Sequence, residues 1–154
     1  MRKLTLEIIA AIALTIAAII ASAPGVRASD LIVTNAFARA SVTPVAKSGV
    51  AYLTLVNQSD APDRLIAIIT QAAKAAEPHR TMMVGDVMKM EAAGVIDLPP
   101  HAEVTMAPGG LHVMLMGLTA PLKEGGAIAM TLTFEKAGQI TISVPVKSAA
   151  ALSP

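Results

Sequence analysis

The stretch AIAMTLTFEKAGQITISVPV, residues 127–146, decides the class of fold. In both halves every second side chain is apolar, as in a β-strand with one buried face. The apolar faces carry Ile128, Met130, Leu132 and Phe134 in the first half and Ile140, Ile142, Val144 and Val146 in the second. Residues 135–138 form a short connection in which Gly138 can adopt a positive φ. The two halves are therefore predicted to pair as a hairpin, with Met130 in the core.

Similar short segments fill the chain upstream of this hairpin. The predicted strands are residues 33–40, 49–57, 64–70, 77–84, 87–92, 103–106, 110–118, 127–134 and 139–146. Their centres lie roughly 8–12 residues apart with turn residues between them, which is typical of an all-β antiparallel sandwich or barrel. Residues 72–76 are rich in alanine but allow only about one helical turn, so we expect a loop there.

The N-terminal residues have the pattern of an export signal. Arg2 and Lys3 precede an apolar run at residues 8–21, which is shorter than the roughly 20 residues that span a membrane. A small-x-small motif at residues 26–28 follows and suits cleavage by signal peptidase. The predicted organisation is a cleaved signal peptide at residues 1–28, a β-sandwich domain at residues 29–148 and a flexible tail at residues 149–154. An uncleaved N-terminal anchor is the alternative.

Charge and cysteine content exclude several classes of protein. Cleavage after Ala28 removes three basic residues and one acidic residue, which leaves 9 Lys and Arg against 10 Asp and Glu and a net charge of −1. A near-neutral chain without a basic run offers no electrostatic site for nucleic acid. Because the chain has no cysteine, a disulfide framework and thiolate metal ligands are excluded as well.

Side chains that bind metals are concentrated at residues 77–118, which hold all three histidines and seven of the nine methionines. In the predicted strand at residues 110–118, alternation puts His112, Met114 and Met116 on one face and leaves the other face to pack. Same-face neighbours lie about 6.5–7 Å apart, so His112 and Met114 can bind one ion together.

A second pair of ligands is predicted across a hairpin. If Gly85 and Asp86 form a two-residue type II′ loop, Thr81 lies opposite Met90, and His79 lies diagonally from Met90 on the same face. Diagonal neighbours are about 7–8 Å apart, which two long side chains can bridge through an ion.

These two pairs together predict one metal site, made by His79, Met90, His112 and Met114. Two neutral imidazoles and two thioethers form a soft ligand set that favours Cu(I). Zn²⁺ prefers thiolate, imidazole or carboxylate, and no acidic residue is part of the predicted spacing. Four protein ligands leave no open position for a substrate, and no pair of nucleophile and base stands out, so we expect binding and not catalysis.

The other methionines and the third histidine have ordinary explanations. Met82, Met83, Met106 and Met116 are expected to lie in the core or to be partly exposed, and His101 is expected in a solvated loop. Met88 and Met116 share the donor faces and are candidates for positions beside the ligands. These residues leave open a structural β-sandwich with a methionine-rich core.

The spacing His79-x10-Met90-x21-His112-x-Met114 resembles the metal-binding signature of the periplasmic PCu(A)C copper chaperone family. Further phrases similar to that family span nearly the whole mature chain: NAFARA at 35–40, AYL at 51–53, DRL at 63–65, VMKM at 87–90, PGGLHVMLM at 108–116 and TLTF at 131–134. The resemblance implies a cupredoxin-like antiparallel β-sandwich of Greek-key topology. It also implies that one Cu(I) per chain is bound through the four residues of the spacing.

The resemblance further implies a destination for the copper. In that family, copper is passed toward the CuA centre of cytochrome c oxidase, so the expected acceptor is subunit II of the oxidase or a Sco-type protein. We expect a periplasmic monomer without a membrane span once the signal is removed. A periplasmic protein that stores or scavenges copper would use the same ligands and is the alternative.

Two positions depart from the family pattern. Phe37 stands where the family usually has Trp, which we expect to change only core packing. Thr81 stands where many members carry Met, so an auxiliary soft ligand near His79 is missing. The chain also lacks the His- and Met-rich extension that some relatives use for Cu(II), so we expect this protein to bind Cu(I) alone.

Overall fold

The computed structural model of the protein describes residues 28–153, so the predicted signal peptide lies outside the described residues except for Ala28. Within that part of the chain, the regular elements are a short 3-10 turn at Ala28–Asp30 and ten β-strands. The strands are β1 (Leu31–Arg39), β2 (Ser48–Asn57), β3 (Asp63–Thr70), β4 (Ala73–Val84), β5 (Val87–Ala92), β6 (Ile96–Leu98), β7 (Glu103–Met106), β8 (Leu111–Leu118), β9 (Ala127–Phe134) and β10 (Gly138–Lys147). Across residues 28–153, no helix is long and apolar enough to cross a membrane.

Seven of these strands close into a ring, in the order β4, β8, β2, β1, β10, β9, β3 and back to β4. The other three pair with single strands of the ring: β5 with β4, β6 with β3 and β7 with β2. Neighbouring strands are antiparallel except β1 and β10, in which Ala38 lies opposite Val146 in a parallel pair. The all-β sandwich predicted from the alternation is confirmed, and the parallel pair is a long-range contact that local patterns do not specify.

The core of the sandwich is built from alternating apolar side chains. Its largest fully buried apolar side chains are Leu53, Leu55, Leu65, Leu98, Val113, Leu115, Met130, Leu132 and Val144. The predicted hairpin of β9 and β10 is confirmed, since Gly138 has a φ of 82° and pairs with Phe134. Met130 is completely buried, as predicted. Each such side chain contributes roughly 1.5–3 kcal/mol by leaving water, so this layer holds the ring together.

The prediction of a loop at residues 72–76 is wrong. β4 begins at Ala73, and Ala73 and Ala75 pair with Leu118 and Met116 of β8. Alanine has little intrinsic preference for strands, but strand formation depends strongly on the neighbouring chains. Here β8 pairs with one edge of the segment and β3 with the other. β6 is also absent from the sequence prediction, because three residues are too few to show alternation.

The two-residue hairpin predicted at Gly85 and Asp86 is confirmed. Thr81 pairs with Met90, as that loop requires. Gly85 has a φ of 62°, whereas the φ of Asp86 is not positive. A positive φ at only the first of the two loop residues is the pattern of a type II′ turn. All six residues of β5 are exposed. The β4–β5 hairpin therefore lies at the edge of the ring, and its turn fixes the register of the two strands.

We expect Gly85→Ala to loosen this hairpin without unfolding the ring. Nothing lies within 4 Å of the added methyl group, so the penalty comes only from holding a side chain at a positive φ. Strain of this kind costs roughly 1–3 kcal/mol. Hydrogen exchange should accelerate by about tenfold for the β5 amides that pair with β4, since 1.4 kcal/mol corresponds to a factor of 10.

The amides of β9 and β10 should keep their wild-type exchange rates in the same sample. Asp86→Ala serves as the matched control, because its φ is not positive, and it should leave β5 exchange nearly unchanged. Equal β5 exchange in wild type and Gly85→Ala would contradict the assigned turn.

Candidate metal centre

The pairing of β4 with β8 brings two of the predicted ligands face to face. His79 lies directly opposite His112, and one step along the same face Glu77 lies opposite Met114. The ring centroids of His79 and His112 are 6.2 Å apart, and the ring planes are inclined by 50°. Imidazole nitrogens bind transition metals at about 2.0–2.1 Å. The spacing between the rings therefore leaves room for one ion.

The β4–β5 hairpin places Met90 beside the two histidines. Met90 lies opposite Thr81, which shares a face of β4 with His79, so Met90 is diagonal to His79 as predicted. Met90 is 54% exposed, whereas Met114 is half-buried. All four predicted ligands thus lie on one face of three adjacent strands, with Met114 toward the ring and Met90 toward solvent.

The Nε2 atoms of both histidines are buried and have no hydrogen-bond partner. Glu77 Oε2 lies 3.8 Å from His79 Nε2, which is too far for a hydrogen bond. A buried polar atom without a partner costs about 1–3 kcal/mol, and folded proteins keep few of them. A metal ion between the two facing rings would give both nitrogens the partner that they lack.

The ring of His112 is held in the tautomer that metal binding needs. Its Nδ1 lies 3.0 Å from the carbonyl oxygen of Gly110. A carbonyl oxygen only accepts hydrogen bonds, so Nδ1 donates its proton and Nε2 of the neutral ring keeps a lone pair. The same carbonyl accepts the N–H of Thr81 at 3.2 Å. β4 therefore holds in place the Gly110 carbonyl that orients the His112 ring. Metal-binding histidines are commonly oriented by a hydrogen bond of this kind from their second ring nitrogen.

Glu77 is a neighbour of the site that the sequence prediction omits. Its side chain is 54% exposed and projects from the same face as His79 and Met114. The alternation rule that linked His112 to Met114 also links Glu77 to His79, because the two residues are two positions apart in one strand. A carboxylate at this distance makes the local potential more favourable for a cation.

Three other candidates lie away from the site. Met106 is 2% exposed and belongs to the core, which is one of the two locations expected for it. Met82 lies on the opposite face of β4, across from Lys89. His101 is exposed and its Nε2 lies 2.8 Å from Asp60 Oδ1, which agrees with the expected solvated loop.

Two methionines lie on the ligand face at the margins of the site, as their spacing predicted. Met116 is half-buried and lies opposite Ala75, one step beyond Met114. Met88 is exposed and lies opposite Met83, one step beyond Met90. The ligand face thus continues in both directions as a row of thioethers.

The sequence of this chain matches a family of known proteins and one relative. Residues 31–146 match the LpqE-like family, described as "Putative lipoprotein LpqE-like". A protein of Leifsonia xyli subsp. xyli (strain CTCB07), named "Putative lipoprotein Lxx21020", is 31% identical over 128 residues, which cover 82% of this chain and 75% of the relative.

Solved structures of PCuAC domains have the same fold. The apo PCuAC domain of PmoF2 is 32% identical and covers 81% of this chain and 95% of its own, with a TM-score of 0.67. Its copper-bound form is 32% identical, with a TM-score of 0.65 and coverage of 77% and 93%. The solution structure of CuI-DR1885 from Deinococcus radiodurans is also 32% identical, with a TM-score of 0.55 and coverage of 77% and 80%. The family match spans residues 31–146, and the PCuAC structures cover 77–81% of this chain. This chain therefore belongs to the LpqE-like family and has the fold of the PCuAC domains.

Proposed function

We propose that this protein is a periplasmic copper chaperone that binds one Cu(I) per chain through His79, Met90, His112 and Met114. The observation that carries the proposal is the pair of facing histidines whose Nε2 atoms are buried and unpartnered. The similarity to structures named as a copper-bound PCuAC domain and as CuI-DR1885 supports copper as the ion.

The ligand chemistry supports Cu(I) as the oxidation state. Neutral imidazole and thioether are soft donors that favour Cu(I) over harder divalent ions. A thioether does not form disulfides and needs no deprotonation before it binds, so it suits an oxidising compartment. The lipoprotein names of the family and of the Leifsonia relative support export, to which we assign a signal peptide at residues 1–28.

The uneven exposure of the ligands supports transfer by ligand exchange. His112 is 4% exposed and is held by Gly110, whereas Met90 is 54% exposed on the edge hairpin. A thiolate or imidazole of the acceptor enters on the side of Met90 and displaces its weakly bound thioether. The ion remains Cu(I) throughout, and the relative affinities of the two proteins set the direction of transfer.

The acceptor that we assign is the CuA centre of cytochrome c oxidase, reached through subunit II or a Sco-type protein, with the chaperone acting as a monomer. A copper store or scavenger with the same ligands is the alternative. A structural sandwich with a methionine core is disfavoured, because Met83, Met88 and Met90 are all more than half exposed.

We expect His112→Ala to lower the affinity for Cu(I) by roughly 100-fold or more, since even loss of a group behind a ligand costs about 10–100-fold. Competition with a colorimetric Cu(I) chelator measures this change. His101→Ala is the matched control, because His101 lies in an exposed turn away from the site, and it should bind like wild type. Equal competition by His112→Ala and wild type would remove the site.

Delivery is tested by the activity of cytochrome c oxidase in a strain that lacks this protein, grown at limiting copper. We expect low oxidase activity that wild-type protein restores and that a Met114→Leu variant does not, because Leu keeps the volume but has no thioether. Added copper should restore activity without the protein. Normal oxidase activity in the deletion strain would contradict delivery and favour the storage alternative.

A further inference from the structure

A second group of methionines lies at the tip of the β4–β5 hairpin. Met83 lies directly opposite Met88, and the two are 62% and 69% exposed. Met83 is two positions from Thr81 and Met88 is two positions from Met90, so the pair faces the same side as His79. We propose that Met83 and Met88, with Met90 as a shared thioether, form a second and weaker site for a soft monovalent ion that exchanges with the histidine pair.

Core packing does not explain these methionines. Methionine usually fills irregular gaps in a core, as Met106 and Met130 do here with exposures of 2% and 0%. At the hairpin tip, every residue of β5 is exposed, so Met88 gains little from burial. Two large apolar side chains that face each other across an exposed hairpin point to a role for their sulfur atoms.

The geometry of the hairpin allows three thioethers to meet at one ion. Directly opposite residues of an antiparallel pair have Cβ atoms about 4.5–5.5 Å apart, which applies to Met83 and Met88. Met88 and Met90 lie about 6.5–7 Å apart along one face of β5. Methionine has three rotatable side-chain bonds, so all three sulfur atoms can turn toward a common point.

The charge pattern of the hairpin does not repel a cation at this point. Lys89 lies opposite Met82, and Arg80 lies opposite Glu91, so both basic side chains are on the face away from the thioethers. On the ligand face of residues 79–92, histidine is the only residue type that can carry a positive charge. The turn itself carries an acidic residue, Asp86, beyond the Val84–Val87 pair that follows the two methionines.

Met90 connects the tip site to the histidine pair. As an ion moves inward, a bond from the metal to the sulfur of Met83 or Met88 breaks and a bond to His79 Nε2 forms, while Met90 stays bound. The charge of the ion does not change, so no oxidant or reductant is needed. This exchange rests on the proposed function of the histidine site, whereas binding at the tip does not.

A titration of the protein with Ag(I) tests the tip site, since Ag(I) is a soft monovalent ion that does not oxidise in air. Native mass spectrometry counts the ions, and NMR of ¹³C-methyl-labelled methionine locates them. We expect two ions per chain. With the histidine pair occupied, Met90 binds the first ion, and the second ion, held by Met83 and Met88, shifts the methyl signals of those two residues. Met83→Leu with Met88→Leu should lose only the second ion, and Met82→Leu, on the opposite face, should keep both.

The outcomes separate this inference from the proposed function. His112→Ala should weaken the first ion and keep the Met83 and Met88 shifts, which supports the tip site even if copper delivery fails. A single ion in wild type, or a second ion that persists in the double leucine variant, overturns the tip site.

The rate of loading tests the exchange step. With a Cu(I)-chelator complex as the copper source, the histidine site of the double leucine variant should load severalfold more slowly than in wild type and reach the same final occupancy. Equal loading rates would overturn the role of the tip in exchange.

Discussion

The register between β4 and β8 is the constraint on which the site depends. It sets His79 against His112 and Glu77 against Met114, and a slip of one residue would turn all the β4 side chains to the opposite face. β4 is also the strand that closes the ring, because its first half pairs with β8 and β3. The same strand therefore completes the fold and carries one histidine of the site.

The two edges of β4 give the proposed metal site two different kinds of ligand. On the side of β8, His112 is buried, oriented by a backbone carbonyl and packed against the ring. On the side of β5, Met90 stands on an exposed edge strand held by a glycine turn. A rigid buried half favours retention of an ion, and an exposed thioether half favours its exchange. Both properties suit the proposed role, in which the protein holds copper and then releases it.

Whether a feature of the fold or of the site can be predicted from the sequence depends on how far apart in the chain the contacting residues lie. The Gly85 turn and the diagonal of His79 to Met90 follow from local turn chemistry and period-two alternation, and the structure has both. The closeness of His79 to His112 depends on a long-range strand pair that spacing alone does not specify. The same pair makes the alanine-rich start of β4 a strand, against its local preference.

The sequence prediction also omits Glu77 and the tautomer of His112, each for a physical reason. Glu77 follows the same alternation as His79, but a carboxylate does not belong to a soft ligand set and so was not expected there. The tautomer of His112 depends on the Gly110 carbonyl, which β4 holds through Thr81. That hydrogen bond exists only once the strands have paired, so the sequence carries no sign of it.

X-ray absorption spectroscopy of the protein loaded with one equivalent of Cu(I) identifies the atoms bound to the ion. For the proposed site we expect a first coordination shell that contains both nitrogen and sulfur, two of each, from the facing histidines and the flanking methionines. The nitrogen contribution should fall in His112→Ala, and the sulfur contribution should fall in Met114→Leu. A shell of sulfur alone, or of nitrogen and oxygen alone, would rule out binding by two histidines and two methionines.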